Sequence, residues 1–295
     1  MRGIETQVRK IRRQIFAEVS RIGFESDDES LIHDIEAIPY KIVTEDGPQY
    51  RDSIYRARAI ATERVRLAMG MCLRPTNKPV HLTDGIEASN ISEKYYEPPL
   101  MQVIPSACAA CPPNKYIVSN MCRGCVAHPC MQTCPKGAIS MKDGKSFIDQ
   151  EKCVKCGKCK AACPYDAISH NVRPCEQACG VKAIGSDEQG RASILDDKCV
   201  SCGMCLVSCP FSAIVDKGQI YQTIMALKSD TPVYAIVAPA VAGQFEPELK
   251  NTQLRGAFKA LGFTDIKEVA VGADLCTIEE AKDFMKEVPE KIPFM

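Results

Sequence analysis

Eighteen cysteines stand in the chain of 295 residues, and sixteen of them crowd between Cys108 and Cys209. Their spacing is that of ligands. Cys153, Cys156, Cys159 and Cys163 are followed by Pro164, and Cys199, Cys202, Cys205 and Cys209 by Pro210, so that each set reads C-x2-C-x2-C-x3-C-P. In such a run three thiolates wrap one [4Fe-4S] cube, and the fourth reaches a second cube. A zinc ribbon needs only two CxxC pairs and no C-P ending, so iron–sulfur chemistry is the stronger implication. Gly157 and Gly203 lie between the second and third ligands, where the expectation is that a side chain would crowd the cluster.

The two runs belong to an internal repeat. Pro129 to Ile168 and Pro174 to Ile214 align with offsets of 45 residues at Cys130/Cys175 and Cys134/Cys179, and of 46 from Cys153/Cys199 to Cys163/Cys209. The crossed-ligand rule then pairs Cys153, Cys156 and Cys159 with Cys134, and Cys122, Cys125 and Cys130 with Cys163. It pairs Cys199, Cys202 and Cys205 with Cys179. Cys175 and Cys209 are left facing an incomplete site, because Ala167, Ile168, Ser169 and His170 stand where the second repeat would carry its own CxxC. Cys108 and Cys111 are the remaining CxxC and complete a fourth set; the exchange of this pair with Cys122/Cys125 stays open. The expected cofactors are [4Fe-4S] clusters, four of them and at least two. Cys72 and Cys276 have no second ligand nearby and read as small buried hydrophobes. His128 could donate a hydrogen bond beside a cluster, and no residue suggests a catalytic role.

The elements that must position these thiolates are short. Ahead of them, Ile4, Val8, Ile11, Ile15, Val19 and Ile22 recur at helical spacing, a second helix is expected over Ser53–Met71, an extended piece and turn over Ile38–Gly47, and an extended connector over Tyr95–Pro105. This apolar stripe reads as a docking or dimerisation layer. After Cys209 the order becomes strand (Pro232–Ala242), helix (Gln253–Leu261), strand (Ile266–Val271), helix (Thr277–Val288), which implies a parallel pair. The expected fold is α+β: a helical region over 1–104, an iron–sulfur domain of tandem bacterial-ferredoxin-like repeats over 105–217, and the start of a parallel α/β unit over 218–295.

Lys plus Arg and Asp plus Glu both total 37, so no basic excess points to nucleic acid. The longest nearly apolar run, Val233 to Gly243, has eleven residues, against the roughly twenty of a spanning helix; no membrane span is expected. Charges occupy the N-terminus where a signal peptide would be apolar, and a large thiol count suits a reducing compartment. A cytoplasmic location follows as an expectation.

The segments CRGCVAHPCMQTCPKGAI, PCEQACGVKAI and CVSCGMCLVSCPFSAI, the last leading through VYAIVAPAVAGQF into LGFTDIKEVAVGADL, resemble the [FeFe] hydrogenases, specifically their monomeric, ferredoxin-rich group B type. The resemblance implies a cluster relay passing electrons between a soluble carrier, ferredoxin or flavodoxin, and a hydrogen-converting site in an anaerobic metabolism. That family holds its catalytic cluster with a Thr-Ser-Cys-Cys-Pro motif and two later cysteine motifs, whereas Cys276 is the one cysteine here after Cys209. The chain is therefore expected to resemble the N-terminal portion of such an enzyme, to carry no catalytic di-iron cluster, to be inactive alone, and to have the rest of the catalytic domain as a partner. The alternatives are an electron-transfer subunit of another oxidoreductase and a non-catalytic redox-sensing or binding module.

Overall fold

The computed structural model describes residues 5–27, 29–89, 98–241, 243–245, 250–288 and 290. Helix α1, Gln7–Glu25, starts where the Thr6 hydroxyl accepts the Arg9 N–H at 3.3 Å. Its Ile11, Ile15, Val19 and Ile22 are buried at the expected spacing; Ile4 lies outside the described residues. Helix α2, Leu31–Ile42, takes the first half of the segment read as an extended piece and turn. Leu31, Ile35 and Ile38 form one buried stripe, and that burial carries the helix past Pro39, whose missing donor costs a bond near its end. Helix α3, Ile54–Ala68, is capped by Ser53, whose hydroxyl accepts the Arg56 N–H at 3.2 Å.

The three helices are packed within the molecule, their apolar stripes forming part of its core. Ile11, Ile15, Val19, Ile35, Ile38 and Val65 share a core with Tyr221. The opposite side of α3 places Ile60 and Leu67 in a second core with Met101, Ile104, Ile214 and Val215.

The cysteine-rich region consists of two similar units, one inside the other. Strand β1, Met101–Val103, pairs antiparallel with β8, Ile214–Asp216, bringing Met101 opposite Asp216. Within that span β2, Lys115–Val118, pairs antiparallel with β5, Ile168–Asn171. The inner unit runs from β2 through α4 (Pro129–Gln132), a hairpin of β3 (Ile139–Lys142) and β4 (Lys145–Ile148), and α5 (Lys158–Ala162) to β5. The outer unit runs from β1, is interrupted by the inner one, and resumes with α6 (Pro174–Gln177), a hairpin of β6 (Ile184–Ser186) and β7 (Ala192–Ile194), α7 (Met204–Ser208) and β8. At the tip of the inner hairpin Asp143 and Gly144 both have positive φ, 50° and 74°, as a two-residue type I′ turn demands.

Helix α8, Ile220–Lys228, leads to β9, Tyr234–Val237, which pairs in parallel with β10, Asp265–Glu268, across the intervening α9, Asn251–Ala260. The second strand ends earlier than the sequence suggests, and α10 takes over at Val269 and runs to Glu287. Glu268 faces Val237, and two residues beyond Val237 stands Pro239, which has no N–H for a longer ladder. No residue of α10 is buried. Among the described residues no helix is long and apolar enough to cross a membrane.

Candidate metal centres

The first CxxC of each of the four ligand sets is shaped by a residue in the left-handed region just before its second cysteine: Ala110 (φ 47°), Gly124 (58°), Lys155 (58°) and Ser201 (54°). The shared turn puts Cys108/Cys111 in the same local geometry as the other three pairs. Gly157 (φ 78°) and Gly203 (φ 75°) open α5 and α7 in that region too. At Gly203 a Cβ would meet no protein atom within 4 Å, while at Gly157 it would meet the Tyr116 hydroxyl at 2.8 Å; at both, glycine relieves the strain of a left-handed backbone.

A second device recurs at the far end of each unit. The thiols of Cys134, Cys163, Cys179 and Cys209 each accept the backbone N–H four residues on, from Ala138, Ala167, Ala183 and Ala213, at 3.2–3.4 Å. The residue before each alanine turns the chain back with positive φ: Gly137, Asp166, Lys182 and Ser212. All four alanines are buried, where a larger side chain would hold the backbone away from sulfur. Sequence reasoning missed this role, although A-I stands at the fourth and fifth positions after each of these cysteines in every copy.

In the inner unit, Ser146 gathers two thiols: its N–H reaches Cys122 Sγ at 3.5 Å, and its hydroxyl lies 3.4 Å from Cys130 Sγ. That N–H is the main reason the Cys122 thiol is held below its ordinary pKa, with the Gly124 N–H assisting. Cys159 is raised, chiefly by burial and then by Cys153 and Cys156. Tyr116 on β2 stacks on His170 of β5 with ring centroids 4.3 Å apart, while His170 Nε2 and Asn114 Oδ1 lie 2.8 Å apart. The residues that replace a CxxC at 167–170 are thus largely committed to a strand.

In the outer unit, Cys108, Cys111, Cys175 and Cys209 line one apolar cleft together with Arg173, Ala192 and Phe211. Burial, then Cys108 and Cys209, raise the Cys111 thiol; burial, then Cys209, push Cys175 up to about 11. Cys205 is raised by burial, with Cys199 and Cys179 adding. Thiols that crowd one another in this way ionise readily only when bound iron supplies positive charge. Among the described residues no three His, Cys, Asp or Glu side chains converge as a single ion requires; Cys108, Cys111, Cys175 and Cys209 instead border one cleft.

Exposure is graded within each run. Cys159 and Cys205 are buried, while Cys156 and Cys202 are exposed, so each run has one thiol at the surface. Cys72 and Cys276 are exposed as well, which corrects the expectation that they are buried. Cys276 lies on the uncovered α10, and Cys72 follows α3 in a loop where its sulfur accepts from Lys217 Nζ at 3.7 Å.

Comparison with known proteins agrees with this geometry. Residues 147–169 match the 4Fe-4S binding domain, 169–220 the LdpA Fe-S cluster-binding domain, and 231–295 the C-terminal domain of the iron only hydrogenase large subunit. Electron transport protein HydN of Escherichia coli K12 is 45% identical over 56 residues, 19% of this chain and 32% of that protein. Putative electron transport protein YsaA of the same strain is 33% identical over 73 residues, 21% of this chain and 46% of that protein. Ferredoxin 7Fe of Hydrogenibacillus schlegelii is 34% identical over 55 residues, 19% of this chain and 70% of that protein. The chain spans about a third of HydN. With ferredoxin-type 4Fe-4S domains joined to a segment similar to the hydrogenase C-terminal domain, it is an iron–sulfur protein related to the iron-only hydrogenases.

Proposed function

We propose that four [4Fe-4S] clusters form an electron relay in this chain. Their ligand sets are Cys122/Cys125/Cys130/Cys163, Cys153/Cys156/Cys159/Cys134, Cys199/Cys202/Cys205/Cys179 and Cys108/Cys111/Cys175/Cys209. The observation that carries the reading is the single cleft lined by Cys108, Cys111, Cys175 and Cys209, which unites a pair from before the inner unit with two thiols from after it. Bound there, the clusters supply one-electron chemistry at potentials tuned by hydrogen bonds and charge. The protein's part is to hold, shield and expose them.

The soluble partner is a small electron carrier of the ferredoxin or flavodoxin class, approaching near Cys156 or Cys202. The other terminus of the relay is a hydrogen-converting site of the iron-only hydrogenase type, a reading supported by the match over 231–295. Within that segment Tyr234, Ile236, Val269, Val271, Leu275, Ile278, Phe284 and Met285 are exposed, an amount of apolar surface that suits docking to further protein.

Anaerobic reconstitution tests the relay. About sixteen iron and sixteen sulfide per chain are expected, falling to about twelve of each when Cys108 and Cys111 are both changed to Ser, by the four-iron composition of each cube. The dithionite-reduced protein should then hand electrons to oxidised ferredoxin in stopped flow. Stoichiometric zinc without brown absorption, or no electron exchange, defeats the proposal.

A further inference from the structure

The cleft of Cys108, Cys111, Cys175 and Cys209 is held by arginines that bind its loop carbonyls, whereas the matching inner site carries Arg123 within its own CxxC and has Lys145 acting on Cys122. Arg173 is 2% exposed and uses all five of its N–H groups. Nε and Nη2 donate to the Cys111 carbonyl at 3.1 and 3.0 Å, Nη1 to the Gly185 carbonyl at 2.8 Å and the Ser186 hydroxyl at 2.9 Å, and Nη2 to the Gly190 carbonyl at 2.9 Å. Every acceptor is neutral. A buried guanidinium whose partners carry no negative charge is costly unless an anion lies close by, and Arg173 acts electrostatically on two thiols of the cleft, Cys111 and Cys175.

Three more arginines hold the loops that carry these thiols. Arg56 Nε donates to the Ser106 carbonyl at 2.8 Å, Arg51 Nη2 to the Phe211 carbonyl at 2.6 Å, and Arg64 Nη2 to the Ser212 carbonyl at 2.5 Å. Arg56 also pairs with Asp52, whereas Arg64 is buried and its recorded bond is to a carbonyl. In the inner unit His128 holds the position of Arg173 in the repeat and is partly exposed. Among the described residues no arginine donates to the loops of Cys122, Cys125, Cys130 or Cys163.

A cube with four thiolates is an anion that gains one further negative charge on reduction, and fixed positive charge at short range in a low-dielectric site favours the more negative state. We infer that Arg173, assisted by Arg64, raises the reduction potential of the cluster of Cys108, Cys111, Cys175 and Cys209. The step is the transfer of one electron from the soluble carrier, with no bond made or broken in the protein. The inference depends on the ligand assignment proposed above.

The test is a redox titration of the reconstituted protein followed by electron paramagnetic resonance. The step abolished by Cys111→Ser identifies this cluster in the titration. Poised at the wild-type midpoint of that step, Arg173→Gln should lower the reduced-to-oxidised ratio about tenfold, ~59 mV for a one-electron couple. Arg173→Lys keeps the charge and should restore most of the ratio even where it weakens the fold, and His128→Gln should leave the step unmoved. Iron loss on Cys111→Ser combined with an unshifted Arg173→Gln step overturns the role of the arginine. Unchanged iron on Cys111→Ser overturns the ligand assignment instead. If Arg173→Gln fails to bind iron, Arg64→Gln is read in the same titration, where a smaller shift in the same direction is expected and none overturns the inference.

Discussion

At the scale of single residues, the cluster sites are set by backbone angles as much as by thiols. Gly124 and Gly203 both have positive φ, but a Cβ on Gly124 would run into the carbonyl oxygen of Gly144, whereas one on Gly203 meets open space. Left-handed backbone costs a non-glycine residue about 1–2 kcal/mol, and overpacking adds about 1–3 kcal/mol. Gly124→Ala should therefore destabilise the iron-loaded protein by about 3 kcal/mol in denaturant titration and Gly203→Ala by about 1 kcal/mol. Equal losses would show that the approach of Gly144 is not what selects Gly124. The thiols themselves should divide in the same manner. Cys156→Ser and Cys202→Ser are each expected to lose one cluster, four of the sixteen iron atoms in a metal assay. Cys72→Ser and Cys276→Ser, at exposed thiols outside the clefts, should lose none.

At the scale of elements, α3 joins the two halves of the molecule. Val65 and Ala68 face the core of α1 and α2, while Ile60 and Leu67 face the core that contains Cys175, Cys205 and Cys209. Arg66 fastens the following loop from its buried position, donating to the carbonyls of Cys72, His81, Leu82 and Asp84. Leu67 is fully buried, so Leu67→Ala should cost about 2–5 kcal/mol. The loss should be directional: heating the variant should release iron from the outer unit first, leaving the inner unit's core of Tyr116, Ile139, Ile148 and Ile168 intact longer. Simultaneous release from all sites would show that the two units melt as one. Strand β1 ends at Val103 and pairs with β8, so the boundary proposed after residue 104 would part a strand from its own sheet.

At the scale of the molecule, metal and apolar burial share the work of stabilising the cysteine-rich region. Its strands are three or four residues long, and a small cysteine-rich unit has little core of its own. Removal of iron with a chelator should therefore open residues 101–216 to protease while much of α1 and α2 stays protected by the core they share with Tyr221. An unchanged digestion pattern in the metal-free protein would mean that packing alone holds the units. The α/β unit should be cut most readily in either state, because no residue of α10 is buried.

Cysteine spacing alone determined the chemistry, since C-x2-C-x2-C-x3-C-P is a local pattern that needs no partner to be read. The same holds for α1, whose Ile11, Ile15, Val19 and Ile22 form a stripe with a helical period, and for the mixed α+β character of the chain. What lay beyond the sequence was decided by residues far apart in it. The cleft that joins Cys108 and Cys111 to Cys175 and Cys209 exists because β1 pairs with β8 around the whole inner unit, and no local signal reports a ladder closed across that distance. Arg173 reads as an ordinary surface cation until folding places the carbonyls of Cys111, Gly185 and Gly190 around it. The four buried alanines show no polar chemistry in a sequence; their role resides in a backbone N–H, which acquires a direction only when the residue before it turns left-handed and the chain folds back on the sulfur.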